Sequence, residues 1–152
     1  MARPRPEGLD ARWVKRGVVR LSQAIAWLYQ RSDGKLGKLW LRGAPLCLLT
    51  TRGRQSGKPR TTPLVYVQDG PDFVVVACFS GLPHAPQWLA NLQARPEAEL
   101  QVAARHFRVR GRVAEGTERA RLWPLVTGVF PDFADYEAWW GRALPVVVLE
   151  PA

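Results

Sequence analysis

Two strand-length apolar runs, Leu46 to Thr51 and Thr61 to Val67, are joined by a turn carrying four cations, and this stretch constrains the chain more than any other. Both runs are rich in apolar and β-branched residues, the composition of half-buried strands. Gly53 and Gly57 bracket the turn. Between Gly34 and Gln68 there are seven Lys or Arg and no Asp or Glu, and Arg52, Arg54, Lys58 and Arg60 fall within nine residues. An anion needs converging donors. Glycines let successive backbone N–H groups turn inward as a nest, Arg adds a planar fork, and Lys adds a point charge. The Ser56 hydroxyl is a further donor.

A nucleoside-triphosphate loop requires four residues between its glycines and a Ser or Thr after the Lys, opening a helix. Here three residues separate Gly53 from Gly57, and Lys58 precedes Pro59, which pushes Lys58 toward extended geometry. That motif is excluded. The plain alternative is a solvated hairpin turn whose charges serve solubility.

A length of 152 residues, 47% of them hydrophobic and seven of them Trp, suits one domain with a sizeable core. A net charge of +9 points to an anionic partner: nucleic acid, an acidic membrane face or a phosphorylated small molecule. Cys47 and Cys78 lie in apolar runs with no Cys-x-x-Cys and no His cluster, which reads as reduced thiols. The first ten residues lack the apolar stretch of a signal peptide, and no run approaches a membrane span. The expected location is cytoplasmic, peripheral at most to the inner face of the cell membrane.

The spacing of Val14, Val18, Leu21, Ile25 and Leu28 predicts an amphipathic helix to about Arg31, capped by Asp10, with Arg12, Lys15, Arg16, Arg20, Gln23 and Arg31 opposite. Residues 1–33 form this N-terminal unit and residues 34–152 the main domain. The helix stripe can pack on the domain or a second copy, or lie on an anionic membrane. Pro63 implies an edge or a bulge in the second strand. Phe73 to Phe79 is a central strand apolar on both faces, and Gln87 to Ala94 a short helix placing Trp88 and Asn91 on one side. Glu97 to Val102 and His106 to Val113 form a hairpin; with Val102 opposite Phe107, Glu97, Glu99 and Gln101 face Arg112, Arg110 and Arg108. Thr117 to Val129 is a helix with Pro124 inside it, Asp132 caps another ending near Gly141, and Leu144 to Leu149 is the last strand. About six mostly antiparallel strands with segregated helices give an α+β class built on a small β-barrel.

Catalytic clusters of the nucleophile or metal kind are absent: His84 and His106 are isolated, and no Gly-x-Ser-x-Gly occurs. An enzyme with this sequence would rely on a bound cofactor.

Four motifs in this order resemble the deazaflavin-dependent nitroreductase family, split β-barrel oxidoreductases that use coenzyme F420. They are Thr51-Arg-Gly-Arg-Gln-Ser-Gly-Lys-Pro-Arg-Thr-Thr-Pro-Leu64, Pro86-Gln-Trp-Leu-Ala-Asn-Leu-Gln-Ala-Arg-Pro96, Pro131-Asp-Phe-Ala-Asp-Tyr136 and Pro145-Val-Val-Val-Leu-Glu-Pro151. The resemblance implies that Arg54, Gln55, Ser56, Gly57, Lys58 and Arg60 hold the phosphate and acidic tail of the coenzyme. It implies that Thr62, Pro63, Ala77, Cys78, Phe79 and Ser80 flank the deazaflavin, with Trp88 and Asn91 supporting the pocket wall. Without it, Trp88 reads as core and Asn91 as a helix cap.

The same resemblance places Val65, Phe130, Phe133 and Tyr136 on the substrate side, where the best-known branch tends to carry tyrosines, so only Tyr136 keeps a hydroxyl. It implies hydride transfer to a planar electrophile such as a quinone, an enone or a nitro compound, with Tyr136, Ser80 or water supplying the proton. Two alternatives stand beside it: an FMN- or haem-binding split barrel, and a non-catalytic basic module at membrane or nucleic acid. Nucleic acid is disfavoured because no aromatics interleave with the cations of the basic turn. The protein is expected to be a monomer or homodimer.

Overall fold

The computed structural model describes residues 2–9, 11–35, 43–78 and 85–152. Helix α1 (Arg12–Arg31) precedes strands β1 (Leu46–Arg52), β2 (Pro59–Asp69) and β3 (Asp72–Val76). Helix α2 (Gln87–Ala94), strands β4 (Glu97–Val102) and β5 (Arg105–Val113), helices α3 (Gly116–Val129) and α4 (Asp132–Trp140), and strand β6 (Val146–Pro151) follow. The six strands close into a barrel in the order β1-β2-β3-β6-β5-β4, every pair antiparallel. The expected α+β barrel with segregated helices is what the chain forms.

Alternation along the strands sorts the core. Cys47 and Leu49 point into the barrel with Phe73, Val75, Leu100, Val109, Val147 and Leu149, and α2 plugs the interior with Trp88, Leu89 and Leu92. The other faces of β3 and β6, Val74, Val76, Val146 and Val148, are covered by Leu122 and Val126 of α3 and by Phe130 and Phe133. Strand β3 is thus buried on both faces. It is shorter than expected: Pro145, opposite Ala77, accepts the Ala77 N–H at 2.9 Å but has no N–H to return, and the Cys78 amide turns back onto Val76 O at 3.0 Å. Phe79 lies outside the described residues.

Strand β2 is shared unevenly. Residues 59–65 pair only with β1, and β3 takes over from Tyr66 to Asp69. Pro63 therefore sits where one edge of β2 has no partner strand, the local edge that its missing N–H called for.

Three expectations are corrected. The β4–β5 hairpin pairs Leu100 with Phe107 and Glu97 with Arg110, two residues out of the expected register. The turn is the tight pair Ala103-Ala104, and Ala103 takes φ 54°, for which sequence would favour Gly or Asn. The Tyr29 hydroxyl supports it by accepting the Ala103 N–H at 2.7 Å while donating to Leu46 O at 3.0 Å. Of the cross-strand pairs, the ion pair that forms is Glu97–Arg110; Arg112 instead meets Glu150 on β6 and Glu118 on α3, and Gln101 is buried.

The α1 stripe is also rotated. Ala26 and Tyr29 are buried with Leu46 and Leu48, while Leu21 and Leu28 are exposed, since the two hydrogen bonds of Tyr29 set the docking angle. Asp10 lies outside the described residues, and Ala11 holds the N-cap position without a side-chain bond. Finally, Asp132 is the first helical residue of α4 rather than its cap; Pro131 is the N-cap, and Asp132 pairs with Arg3.

Gly34 seals α1 to the barrel. It has φ +79°, and an added Cβ would stand 2.5 Å from the Ala103 Cα. Gly34→Ala is expected to cost roughly 1–3 kcal/mol from the left-handed backbone alone, more with the clash. Urea unfolding should show a lower midpoint; an unchanged midpoint would mean that α1 is not locked to the β4–β5 turn.

Candidate active site

A cleft of about 780 Å3 opens along the unpaired edge of β2. The basic turn (Gly53, Arg54, Gln55, Ser56) and residues 59–64 form one side, Cys78 and the start of α2 (Pro86, Gln87, Trp88, Asn91) another, and α1 the third. The α1 contribution (Val18, Val19, Ser22, Gln23, Ala26, Trp27, Gln30) and Gln87 were not foreseen. A usable signal was Ser22 on the inward side of α1, polar where packing alone would favour an aliphatic residue.

The turn owes its shape to its own amides. Gly53 N–H donates to Lys58 O at 2.9 Å, Gly57 N–H to Gly53 O at 2.8 Å, and Lys58 N–H to Ser56 Oγ at 3.2 Å. A Cβ at Gly53 would stand 2.7 Å from that same oxygen. The glycine amides expected to form an anion nest are thus spent inside the turn, and recognition of an anion falls to side chains.

Arg54 is the best held of these. Its backbone N–H and Nη1 donate to Asn91 Oδ1 at 3.2 and 3.1 Å, and Nη2 donates to Gln87 Oε1 at 2.9 Å. Asn91 is buried in the middle of α2 and donates its own amide to Thr51 Oγ1 at 3.4 Å, so it is a strut and no helix cap. Amide oxygens orient a guanidinium without cancelling its charge. Among the described residues Arg54, Lys58 and Arg60 have no carboxylate partner, whereas the cations Arg110, Arg112, Arg119 and Arg121 all do. Arg54 and Arg60 therefore bring to the cleft two positive charges that no described carboxylate cancels.

Trp88 lies across the cleft, 3% exposed, and its indole N–H finds no acceptor among the described residues. An unpaired buried donor costs about 1–3 kcal/mol. Cations without carboxylate partners beside the flat indole of Trp88 fit a ligand with an anionic part and a planar ring.

Of the residues singled out from sequence, Arg54, Gln55, Ser56, Arg60, Thr62, Pro63, Cys78, Trp88 and Asn91 line this one cleft. Gly57 and Lys58 belong to the turn without lining it, and Ala77 is buried in the barrel. Phe79 and Ser80, like His84, lie outside the described residues. Phe130 and Phe133 are buried, their rings 5.0 Å apart edge to face, with Tyr136 beside both at 6.4 and 6.5 Å. Val65 and Cys78 pack on this aromatic cluster, so Cys78 stands between it and the cleft. Burial pushes the Tyr136 phenol up, and the neighbouring Cys78 and Asp132 add to the effect. The hydroxyl is therefore kept protonated, the form that can donate a hydrogen bond. Among the described residues no cluster of His, Cys, Asp and Glu could hold a metal ion.

The cleft and barrel have counterparts in known proteins. A family model described as F420H(2)-dependent quinone reductase matches residues 21–151. An F420H(2)-dependent quinone reductase of Mycobacterium tuberculosis is 34% identical over 143 residues, 91% of this chain and 96% of that protein. The solved structure of an F420-H2 dependent reductase, FDR-A, superposes with a TM-score of 0.66 at 34% identity, covering 70% of this chain and 94% of that one. A second structure, described as a domain-swapped dimer, gives a TM-score of 0.68 at 31% identity over 91% of this chain and 97% of its own. With the barrel, the cation-lined cleft and a match across most of its length, the chain belongs to the F420H(2)-dependent quinone reductase family, oxidoreductases whose cofactor is coenzyme F420.

Proposed function

We propose that this chain reduces a quinone using F420H2 held in the cleft along β2. The observation that carries this reading is Arg54, oriented by Asn91 and Gln87 and without a carboxylate partner among the described residues, in a cavity that Trp88 also lines. Arg54, Arg60 and Lys58 would take the phosphate and acidic tail, with the Ser56 O–H as a further donor. Thr62, Pro63 and Cys78 would border the ring, with Trp88 supporting the pocket wall. When bound, the reduced deazaflavin supplies a hydride, and one proton completes the hydroquinone. The residues of the chain bind and orient, and α1 with α2 keeps bulk water from the cleft. Parallel absorbance titrations with F420, FMN and haem test the assignment: saturation by F420 supports it, and saturation by FMN or haem alone would overturn it.

The aromatic cluster of Phe130, Phe133 and Tyr136, behind Cys78, suits a flat conjugated acceptor better than one needing several donors. Tyr136 is proposed as the residue that hydrogen-bonds the acceptor oxygen, with Tyr136, Ser80 or water delivering the proton.

Arg60→Ala should weaken coenzyme binding by about 10- to 150-fold, the worth of one charged hydrogen bond, and leave bound-state turnover nearly unchanged. Fluorescence titration and single-turnover oxidation separate the two quantities. Intact affinity with collapsed turnover would move the anion site elsewhere. Tyr136→Phe should slow quinone reduction by about 10²- to 10³-fold if the hydroxyl meets developing charge. Equal rates for both proteins would make Tyr136 a wall only, and faster reduction of a nitro compound than of a quinone by the wild type would change the substrate class.

A second reading concerns α1. Trp13, Leu21, Trp27 and Leu28 are 76, 53, 56 and 40% exposed. Arg12, Lys15, Arg16, Arg20 and Arg31 share the helix, which contains no acidic residue. No described helix is long and apolar enough to cross a membrane. This combination suits a helix lying on an anionic lipid surface, where quinones dissolve. The full chain should co-sediment with vesicles containing phosphatidylglycerol, and Trp13→Ser with Leu21→Ser should abolish it. Failure of the wild type to pellet, with a dimer on size exclusion, would assign the face to a second copy instead.

A further inference from the structure

The segment 2–9 is strapped along the outer side of α4. Arg3 makes most of the contact: its backbone N–H and Nε donate to Asp135 Oδ1 and Oδ2 at 3.0 and 2.8 Å, and Nη2 meets Asp132 Oδ1 at 2.7 Å. Its carbonyl accepts the Trp139 indole N–H, and the Arg5 guanidinium lies 4.7 Å over the Trp140 ring. Asp132, Asp135 and Trp139 recur at three- and four-residue spacing, so one residue grips a single stripe of the helix.

Helix α4 has reason to need this grip. It is nine residues long with no side-chain cap at its N-terminus, and a helix that short is held by tertiary contacts. Phe133 anchors it to the core on one side, and the strap holds the other. Asp132 is 8% exposed, and a carboxylate so enclosed is costly when its counter-charge is removed. Both carboxylates also act on the Tyr136 hydroxyl, with Arg3 opposing them.

We propose that Arg3 is a positioning residue for the electron acceptor, fixing α4 and hence Tyr136 and Phe133 at the acceptor side through Asp132, Asp135 and Trp139. The inference rests on the reading of Tyr136 given above. Arg3 itself touches neither coenzyme nor acceptor. Its removal loosens the helix that carries the acceptor contacts and leaves two carboxylates near the oxygen that gains negative charge on reduction. The coenzyme end is untouched, because Arg54, Arg60 and Trp88 lie on other elements.

The test uses the full chain. In Arg3→Ala, hydrogen exchange of amides 132–140 in cofactor-free protein should quicken while the barrel strands keep their protection. With saturating F420H2, KM for a water-soluble naphthoquinone should rise roughly 3- to 10-fold, a modest figure because Arg3 is half exposed, with coenzyme Kd unchanged. Arg3→Lys should recover part of the loss, since an ammonium can meet one carboxylate but lacks the fork. Asp135→Ala, which breaks the clamp from the helix side, should reproduce both effects. Unchanged exchange in α4, or an unchanged quinone KM, overturns the proposal. Absence of turnover in the wild type would retire the functional reading and the acceptor role with it, whereas the exchange measurement judges the clamp without any coenzyme.

Discussion

An eleven-residue strand divided between two neighbours is the constraint on which the active-site side of this molecule depends. The first half of β2 has β1 on one edge and, among the described residues, no strand on the other, while its second half is completed by β3. An exposed edge ordinarily presents unpaired N–H and C=O groups to any passing strand. Here Pro63 removes one donor, and α1, α2 and the basic turn stand around the rest, so the edge becomes the floor of a cleft.

Charge in that cleft follows from what surrounds the cations. Some cations outside the cleft are met by carboxylates, as at Arg112 with Glu118 and Glu150 or Arg121 with Asp69. Arg54 is met by Asn91 and Gln87, which fix its direction and leave its charge available. Orientation without neutralisation is what a site for a phosphate and an acidic tail requires.

The N-terminal segment contributes on several fronts. Its strap holds α4, its helix lines the cleft, and Tyr29 bridges Leu46 and Ala103 so that the helix, the first strand and the β4–β5 turn move together.

Much of this was legible in the sequence. The alternation and turn residues placed β1, the α2 boundaries and the extent of β4, and the four cations around Gly53 and Gly57 marked the turn that borders the cleft, because these signals are local in the chain. Motif order then tied them to a deazaflavin barrel. Only the tertiary structure decided the rest. The β4–β5 register depended on Ala103 accepting a left-handed backbone that a distant tyrosine supports, and no local residue type announces that. The rotation of α1 was set by two hydrogen bonds rather than by its aliphatic stripe, which put Leu21 and Leu28 in solvent and Ser22 in the cleft. Arg54 and Asn91, 37 positions apart, became one device, and Arg3 met Asp135 across 132 positions. Sequence reports which groups a chain possesses and how each segment is patterned; which of those groups neutralise, orient or leave one another free is fixed by closure of the barrel.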